Sequence, residues 1–283
     1  MTIVRTIAAV HRGPRLFAWR VARDDDRPKR TILFVHGAGE HSQRYLSAAR
    51  RLARDNWEVI GFDLRGHGCS DGLPVHVRAF RDYVEDVGRV AEHFRLDPET
   101  TGVVAHSLGG LVSIATWQQE VFRPAAIAMS APLLRLAAEV PLWKLLLGRS
   151  VKRAWPTTRF ATTIEPKHLL NDATALAVRE SDPLICRSLT AGFFFNVTAA
   201  SQKIWRREMP TPTLIFQGDA DKVVDPEAAT KWHERDPSRC ELRTIPGAAH
   251  ELFHEPDGFS IVQDAARWID ARMAETAVSR RAA

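Results

Sequence analysis

The chain reads VVAHSLGG over residues 103–110, where an apolar run passes through a serine into two glycines. The apolar run predicts a strand that is buried on both faces, and the glycines favour a tight turn into a helix. A serine at such a turn stands at the rim of a sheet if small residues flank it at both second neighbours. The stretch matches a nucleophile elbow, with Ser107 as the candidate nucleophile and Ala105 where glycine is usual. The alternative is a serine in an ordinary strand–helix turn.

Strands and helices alternate on both sides of this stretch. Apolar runs predict strands over residues 15–21, 31–35, 58–62, 102–105, 125–129, 213–216 and 241–245. The first of these alternates in the manner of an edge strand. Apolar side chains at spacings of three and four predict helices over 80–94 and 261–269, and Asp225 before Pro226 predicts a helix start. The pattern is typical of an α/β fold around a mostly parallel sheet.

The alternation lapses between residues 132 and 205, a segment with leucine clusters, five prolines and three consecutive phenylalanines. We therefore divide the chain into a core of residues 1–131 and 206–283 and an inserted segment of residues 132–205. An insertion between two strands of an open sheet emerges at their carboxyl ends, where such folds bind ligands. We expect the inserted segment to form a lid.

The overall composition excludes several classes of protein. Hydrophobic residues make up 45% of the 283 residues and charged residues 26%, which excludes disordered, collagenous and disulfide-scaffold proteins. The cysteines Cys69, Cys186 and Cys240 are widely spaced without a CxxC pattern, so neither a disulfide framework nor a zinc site is indicated. The first fifteen residues contain no apolar run of signal-peptide length. These features predict residence in the cytoplasm.

The net charge of +5 is concentrated at one end of the chain. Residues 1–30 contain eight Lys or Arg and three Asp, so the rest of the chain is formally neutral. No aromatic stacking run or nucleic-acid-binding motif accompanies these basic residues. We expect no nucleic-acid partner.

Three further motifs, together with the elbow, carry a resemblance to a known family. They read HGAGEHS over residues 36–42, DLRGHGCS over 63–70 and SDPLICR over 181–187. With these motifs the chain resembles the α/β-hydrolases, specifically their monoacylglycerol lipase and lysophospholipase-like branch. The resemblance implies a mostly parallel central sheet flanked by helices, with an inserted helical lid. It also implies an oxyanion hole formed by the backbone N–H groups of Ala38 and Leu108.

A nucleophilic serine needs a base and an orienting acid, which follow it in this fold in the order Ser, Asp, His. The strand and GxxDxVV loop over 214–224 resemble the family's acid loop and select Asp221, with Asp219 as the rival. The loop after the last strand presents His250 as the base, with His254 as the rival. Of the other histidines, we expect His106 to point away from the attacking face.

No HExxH motif or comparable cluster provides a metal site, and the glycine-rich stretches do not fit nucleotide-binding loops. Asp225 is better explained as a helix cap than as a catalytic acid. We therefore expect catalysis without metal or other cofactor.

The inserted segment suggests a lipid substrate. Leu184, Ile185, Phe193 and Phe194 are the candidate residues of an acyl tunnel, which would favour long-chain esters. The region from Leu142 to Lys152 combines leucines with basic residues. One interpretation is that the leucines pack the lid onto the core, and the other is peripheral contact with an anionic membrane.

The predicted function is hydrolysis of a lipid ester, monoacylglycerol or lysophospholipid, through an acyl-enzyme. The alternatives are another hydrolase of the same fold, namely a short-chain carboxylesterase, thioesterase or peptidase, and a noncatalytic binding protein built on the fold. The sequence leaves the oligomeric state open.

Overall fold

The computed structural model describes residues 3–10, 13–24, 30–138, 141–162 and 164–282, and for residues 3–8, 142, 144 and 277–282 only the backbone. The strands in these ranges are β1 (Ile3–Val10), β2 (Leu16–Arg23), β3 (Arg30–Val35), β4 (Trp57–Phe62), β5 (Thr101–His106), β6 (Ala126–Ser130), β7 (Arg159–Ala161), β8 (Ser188–Thr190), β9 (Thr213–Gly218) and β10 (Cys240–Ile245). The α-helices are α1 (Leu46–Arg54), α2 (Arg81–Phe94), α3 (Leu108–Gln118), α4 (Leu142–Ala154), α5 (Ala173–Ser181), α6 (Ala191–Ile204), α7 (Pro226–Arg235) and α8 (Gly258–Ala282). Three 3-10 helices cover Ser42–Tyr45, Pro166–His168 and Leu252–His254. Of the eight basic residues predicted to concentrate charge in residues 1–30, Arg12, Arg27 and Lys29 lie outside the described residues.

Eight of these strands form one sheet in the order β1-β2-β4-β3-β5-β6-β9-β10. The pairs β1/β2 and β2/β4 are antiparallel, and the remaining pairs are parallel. All seven predicted strands occur in this sheet, which confirms the α/β-hydrolase architecture. Strand β1 was not predicted, because IVRTIAAV lacks the alternation of a half-buried strand. It was also wrong to interpret residues 15–21 as an edge, since β1 pairs along the whole of β2.

Helices cover both faces of the sheet, which explains why its central strands are continuous apolar runs. In β3, for example, Leu33 and Val35 belong to the core under α2, α3 and α7. Ile32 and Phe34 belong to the opposite core under α1 and α8. A strand that contacts two cores needs apolar side chains at every position.

The predicted helices also form. Helix α2 buries the predicted apolar stripe, including Tyr83, Val84 and Val87. Helix α7 begins at Pro226, and the Asp225 carboxylate caps it by accepting a hydrogen bond of 2.9 Å from the Glu227 N–H. Asp225 is thus a helix cap, as the sequence indicated.

The chain leaves the sheet between β6 and β9, at the carboxyl end of β6. This excursion contains α4, α5 and α6, together with a two-stranded sheet of β7 and β8. Helix α6 packs back on the main core, where its Phe193 and Val197 are buried in the same cluster as Leu111 of α3. The inserted segment is therefore joined to the core through α6. No helix in the described part of the chain combines the length and apolarity needed to cross a bilayer.

Candidate active site

Ser107 lies between the end of β5 and the start of α3, in a backbone conformation that is costly for any residue except glycine. Its φ is +50° and its ψ is −113°. The surrounding backbone fixes this geometry: the Ser107 N–H donates to the Ser130 carbonyl at 3.0 Å, and the Ser107 carbonyl accepts from the Leu133 N–H at 3.0 Å. Strain maintained in this way directs the side chain away from the strand and towards the carboxyl edge of the sheet.

The glycines that follow the serine are required by close packing. A Cβ at Gly109 would lie 2.0 Å from the carbonyl oxygen of Val35, so α3 could not approach β3 with any larger residue there. Ala105 is 1% exposed and pairs with Val35 and Met129 in register. The turn therefore forms with alanine at the position where glycine is usual.

The three predicted triad residues converge at this edge of the sheet. Ser107 Oγ lies 3.0 Å from His250 Nε2, and His250 Nδ1 lies 2.8 Å from Asp221 Oδ2. The three side chains follow β5, β9 and β10, whose carboxyl ends point the same way because these strands are parallel. All three residues are buried, between 2% and 4% exposed. Side chains more than a hundred residues apart thus form one hydrogen-bonded chain.

The Asp221 carboxylate is surrounded by donors. Its Oδ1 accepts hydrogen bonds from the N–H groups of Val223 at 2.7 Å and Val224 at 3.0 Å. Burial opposes ionisation of this carboxyl group, but the neighbouring His250 and these amides outweigh it and lower the pKa of Asp221. An ionised carboxylate only accepts, so His250 donates from Nδ1, and its Nε2 is left to accept the Ser107 hydroxyl proton.

The rival residues have other partners. Asp219 is exposed and accepts a hydrogen bond of 2.7 Å from the Gly247 N–H. His254 packs against Tyr45 and lies 3.4 Å from Glu40 Oε2. The structure therefore brings Asp221 and His250 to Ser107, and not Asp219 or His254.

The amides of Ala38 and Leu108 both belong to turns beside Ser107. Ala38 follows β3 and lines the cavity next to Ser107, and Leu108 is the first residue of α3. Neither amide donates a hydrogen bond to another described residue, and an N–H at a helix start attracts negative charge. The Ala38 loop is held from the inserted segment, because the Cys186 N–H donates to the Gly39 carbonyl at 2.8 Å.

Three buried histidines surround this arrangement. His36 is fixed as a neutral ring, because its Nε2 accepts from the Leu64 N–H at 2.9 Å and its Nδ1 donates to the Gly37 carbonyl at 2.7 Å. Burial lowers the pKa of His67 to about 3 and that of His106 to about 4. The expected orientation of His106 was wrong: it lines the cavity, with its ring 4.8 Å from that of His250. The alternation of β5 places His106 on the side of Val104 and Phe253, and the loop that carries His250 lies over the same side.

These histidines predict that the protein loses stability as the pH falls below about 6.5, the ordinary pKa of histidine. The native state keeps His67 and His106 neutral down to about pH 3 and about pH 4, whereas the unfolded chain protonates them. Each ring then lowers the free energy of unfolding by up to about 1.4 kcal/mol per pH unit. Urea unfolding at several values between about pH 7.5 and about pH 5 measures this slope.

The matched variants are His67→Gln at the buried site and His93→Gln at an exposed position of α2. His67→Gln is expected to make the slope shallower, and His93→Gln to leave it unchanged. The same slope in the parent protein and in both variants would contradict the prediction. Carboxyl groups with lowered pKa values affect stability mainly below about pH 5, where the unfolded chain begins to protonate them.

Ser107 faces a cavity of about 370 Å³. Apolar side chains in its wall include Leu133, Leu136, Leu189, Phe193, Phe194 and Val197, and charged ones include Glu40, Arg179, Glu180, Arg187 and Glu251. The predicted tunnel residues Phe193 and Phe194 line it. Leu184 and Ile185 do not, because a turn closed by hydrogen bonds to Asp182 brings Cys186 to the cavity instead.

A buried ionic network beside this cavity was not expected from the sequence. Glu40 accepts from the Gly37 N–H at 2.6 Å, and Arg44 bridges Glu40 at 2.6 Å and Glu251 at 2.7 Å. Arg179 of α5 completes the network with a 2.7 Å contact to Glu251. Burial opposes the charges, but the arginines outweigh it and lower the pKa of both glutamates. The network joins the Ala38 loop, the His250 loop and the inserted segment.

Only part of this network left a signal in the sequence. Glu40 and Arg44 are four residues apart, in and just after the HGAGEHS motif, but Arg179 and Glu251 are joined only by the fold. Within the described ranges, no group of three or more side chains is arranged to hold a metal ion.

Comparisons with known proteins identify the family of the chain. A family model described as "Serine aminopeptidase, S33" matches residues 26–257. Monoglyceride lipase from Homo sapiens is 30% identical over 93% of this chain and 89% of its own length. An abhydrolase domain-containing protein from Dictyostelium discoideum is 25% identical over 87% of this chain, which spans 27% of that relative.

Among solved structures, Paleococcus ferrophilus monoacylglycerol lipase superposes with a TM-score of 0.80 at 22% identity, over 96% of this chain and all of that one. At this identity the likeness shows the fold. The family model covers most of the chain, and the fold agrees with it. The chain therefore belongs to the family described as serine aminopeptidase, S33, and has the α/β-hydrolase fold.

Proposed function

We propose that the protein hydrolyses carboxylic esters of lipids, with monoacylglycerol as the substrate class and fatty acid and glycerol as the products. The observation that carries the proposal is the chain of contacts from Ser107 through His250 to Asp221, at 3.0 and 2.8 Å, facing a cavity with both apolar and charged side chains in its wall. Apolar side chains suit an acyl chain, and polar ones suit a glycerol head group. Similarity to a protein named monoglyceride lipase supports the same substrate.

The proposed mechanism is acyl transfer through a covalent intermediate. His250 Nε2 accepts the proton of Ser107 Oγ as this oxygen attacks the ester carbonyl carbon. His250 then donates the proton to the leaving glycerol oxygen, which leaves the acyl group on Ser107. In the second half, His250 takes a proton from water as the water attacks the acyl-enzyme, and returns it to Ser107 Oγ as the fatty acid departs. Asp221 holds the imidazole in the required tautomer throughout.

The tetrahedral intermediates carry a negative oxygen, which we assign to the amides of Ala38 and Leu108. Both donors belong to turns whose conformation exists before substrate binds, so no reorganisation is needed during the reaction. The contact between Gly39 and Cys186 supports one of these turns from the inserted segment. We therefore propose that residues 132–205 act as a lid that also stabilises the oxyanion hole.

Helix α4 of this lid is proposed to touch lipid. Its exposed apolar side chains include Trp143, Leu146 and Leu147, which are 55% to 64% exposed. Arg149 and Arg153 of the same helix add positive charge, which an anionic surface attracts by about 1 kcal/mol per residue. The side chains of Leu142 and Lys144, part of the predicted contact region, lie outside the described residues. Residence in the cytoplasm stays a prediction.

A substrate panel tests the proposed function. It contains monoacylglycerols, lysophospholipids, short p-nitrophenyl esters, an acyl thioester and an aminoacyl p-nitroanilide, each with and without anionic vesicles. We expect the highest kcat/KM for monoacylglycerols, because burial of the chain contributes roughly 0.8 kcal/mol per methylene. A preference for acetyl esters or for the anilide would contradict the lipid assignment while leaving a hydrolase.

The vesicle arm of the panel has a matched pair of variants. Leu147→Ser removes an apolar side chain that is 60% exposed on α4, and Leu73→Ser removes one that is 53% exposed in the core domain. Leu147→Ser is expected to weaken vesicle sedimentation and stimulation by vesicles, and Leu73→Ser to preserve both. Equal binding by both variants would contradict contact through α4.

A further inference from the structure

A second cavity of about 510 Å³ lies beside the one that contains Ser107. The loop after β6 contributes Leu134 and Ala138 to its walls, α4 contributes Leu145, and α6 contributes Ser201 and Gln202. Trp205, just after α6, and Lys231 of α7 also line this cavity. None of these seven residues lines the cavity of Ser107, so the proposed mechanism does not use the second cavity.

The two cavities share three wall residues, Leu136, Phe194 and Thr198. A single layer of side chains therefore separates them. Phe194 is only half-buried, and its ring packs edge-on against Phe195 at 5.2 Å. Phe195 in turn lies close to Gly148 of α4. Because the Phe194 side chain lines both cavities, its rotation would change the wall between them.

The chemistry of the second cavity suits an uncharged chain. Apolar side chains form most of its walls, and its two cations already have partners. Arg135 contacts Asp225 at 2.6 Å and Glu227 at 3.0 Å, and Lys231 contacts Glu227 at 3.1 Å. These pairs neutralise the positive charge that would otherwise attract a free carboxylate. Methylene groups gain most from such a site, since they lose contact with water without losing hydrogen bonds.

The volumes agree with this interpretation. The first cavity measures about 370 Å³ and the second about 510 Å³, so the second more than doubles the space beside Ser107 that a long ligand could occupy.

We propose that the second cavity continues the acyl-binding site and receives the distal end of long acyl chains, which enter past Phe194. The inference rests on the proposed function and deepens it, because it assigns the part of the molecule that selects chain length. Chains that end in the first cavity bind without the second. Longer chains depend on both.

The first test fills the second cavity without touching the first. Ala138→Phe adds a ring at an exposed position of the second cavity, and Ala199→Phe adds the same ring at an exposed position of α6 outside both cavities. Burial is worth up to about fourfold in affinity per methylene. We therefore expect Ala138→Phe to lower kcat/KM for monopalmitoylglycerol at least about tenfold and to change that for monohexanoylglycerol by less than about twofold.

Ala199→Phe is expected to leave both substrates unaffected. Equal losses on the two substrates in Ala138→Phe, or no loss on either, would overturn the inference. Circular dichroism of both variants excludes a folding defect as the cause.

The second test locates the chain end directly in the unaltered protein. A hexadecyl fluorophosphonate with a diazirine at the chain terminus is attached to Ser107 and photolysed, and the inserted residues are identified by mass spectrometry. A hexyl analogue is the matched short probe. The long probe is expected to insert at Ala138, Leu145, Ser201 or Gln202, and the short probe at residues of the first cavity such as Leu133 or Val197.

Insertion of the long probe only at residues of the first cavity, or only into solvent, would refute the second cavity while leaving the proposed function intact. Failure of both probes to label Ser107 would instead contradict the proposed function, and the inference with it.

Discussion

Replacement of Ser107 by alanine is expected to lower kcat for ester hydrolysis by about six orders of magnitude, the loss that accompanies removal of a serine nucleophile. The variant keeps the oxyanion donors and the cavity, but no oxygen remains 3.0 Å from His250 Nε2 to attack the carbonyl. Hydrolysis then depends on water without a covalent intermediate. The measurements are the hydrolysis rate and covalent labelling by a fluorophosphonate probe, both of which should disappear.

The matched control is Ser113→Ala. Ser113 is a buried serine of α3, six residues further along, whose hydroxyl donates to the Gly109 carbonyl at 2.8 Å. This variant should label and turn over at rates close to those of the parent. Retained esterase activity in Ser107→Ala, or labelling at another residue, would show that the nucleophile lies elsewhere.

Replacement of Asp221 by asparagine is expected to lower kcat by about four orders of magnitude, with a much smaller change in KM. An asparagine amide can donate to His250 Nδ1, which favours the tautomer with the proton on Nε2. In that tautomer, Nε2 has no lone pair with which to accept the Ser107 proton. The substitution also removes the charge that stabilises the imidazolium, in a site that is 2% exposed. Steady-state kinetics on one monoacylglycerol measures the effect.

Asp219→Asn is the control for this variant, because the two carboxylates lie in the same loop and one of them is exposed. The Asp219 carboxylate accepts a hydrogen bond of 2.7 Å from the Gly247 N–H and does not contact His250. We expect kcat to fall less than about tenfold in this variant, because the substitution weakens only one hydrogen bond within the loop. If Asp219→Asn were the more damaging of the two, the assignment of the acid would be wrong.

Local features of the sequence were enough to predict most of the fold. Continuous apolar runs indicated strands buried on both faces, and the structure contains each of them with cores on either side. The pair Asp225 and Pro226 predicted the start of α7 because capping depends on neighbours within one turn. Strand β1 has no comparable local signal, since its position is set by pairing with β2.

The candidate site was also predicted only in part from local features of the sequence. The order of the motifs along the chain selected Ser107, Asp221 and His250, and the sheet brings these side chains together because β5, β9 and β10 are parallel. The lining of the cavity was predicted less well: Phe193 and Phe194 line it, and Leu184 and Ile185 do not. Which side of a loop faces a cavity depends on turn geometry, which periodicity does not report.

The sequence alone determined which three side chains form the candidate site, because a tight turn with serine, an acid loop and a histidine loop are each encoded within a few residues. Only the tertiary structure decided how the inserted segment meets that chemistry. Arg179 reaches Glu251, Cys186 holds Gly39, and Phe194 stands between two cavities. These contacts join residues that are distant in the chain, and their energies depend on packing and burial that exist only after folding.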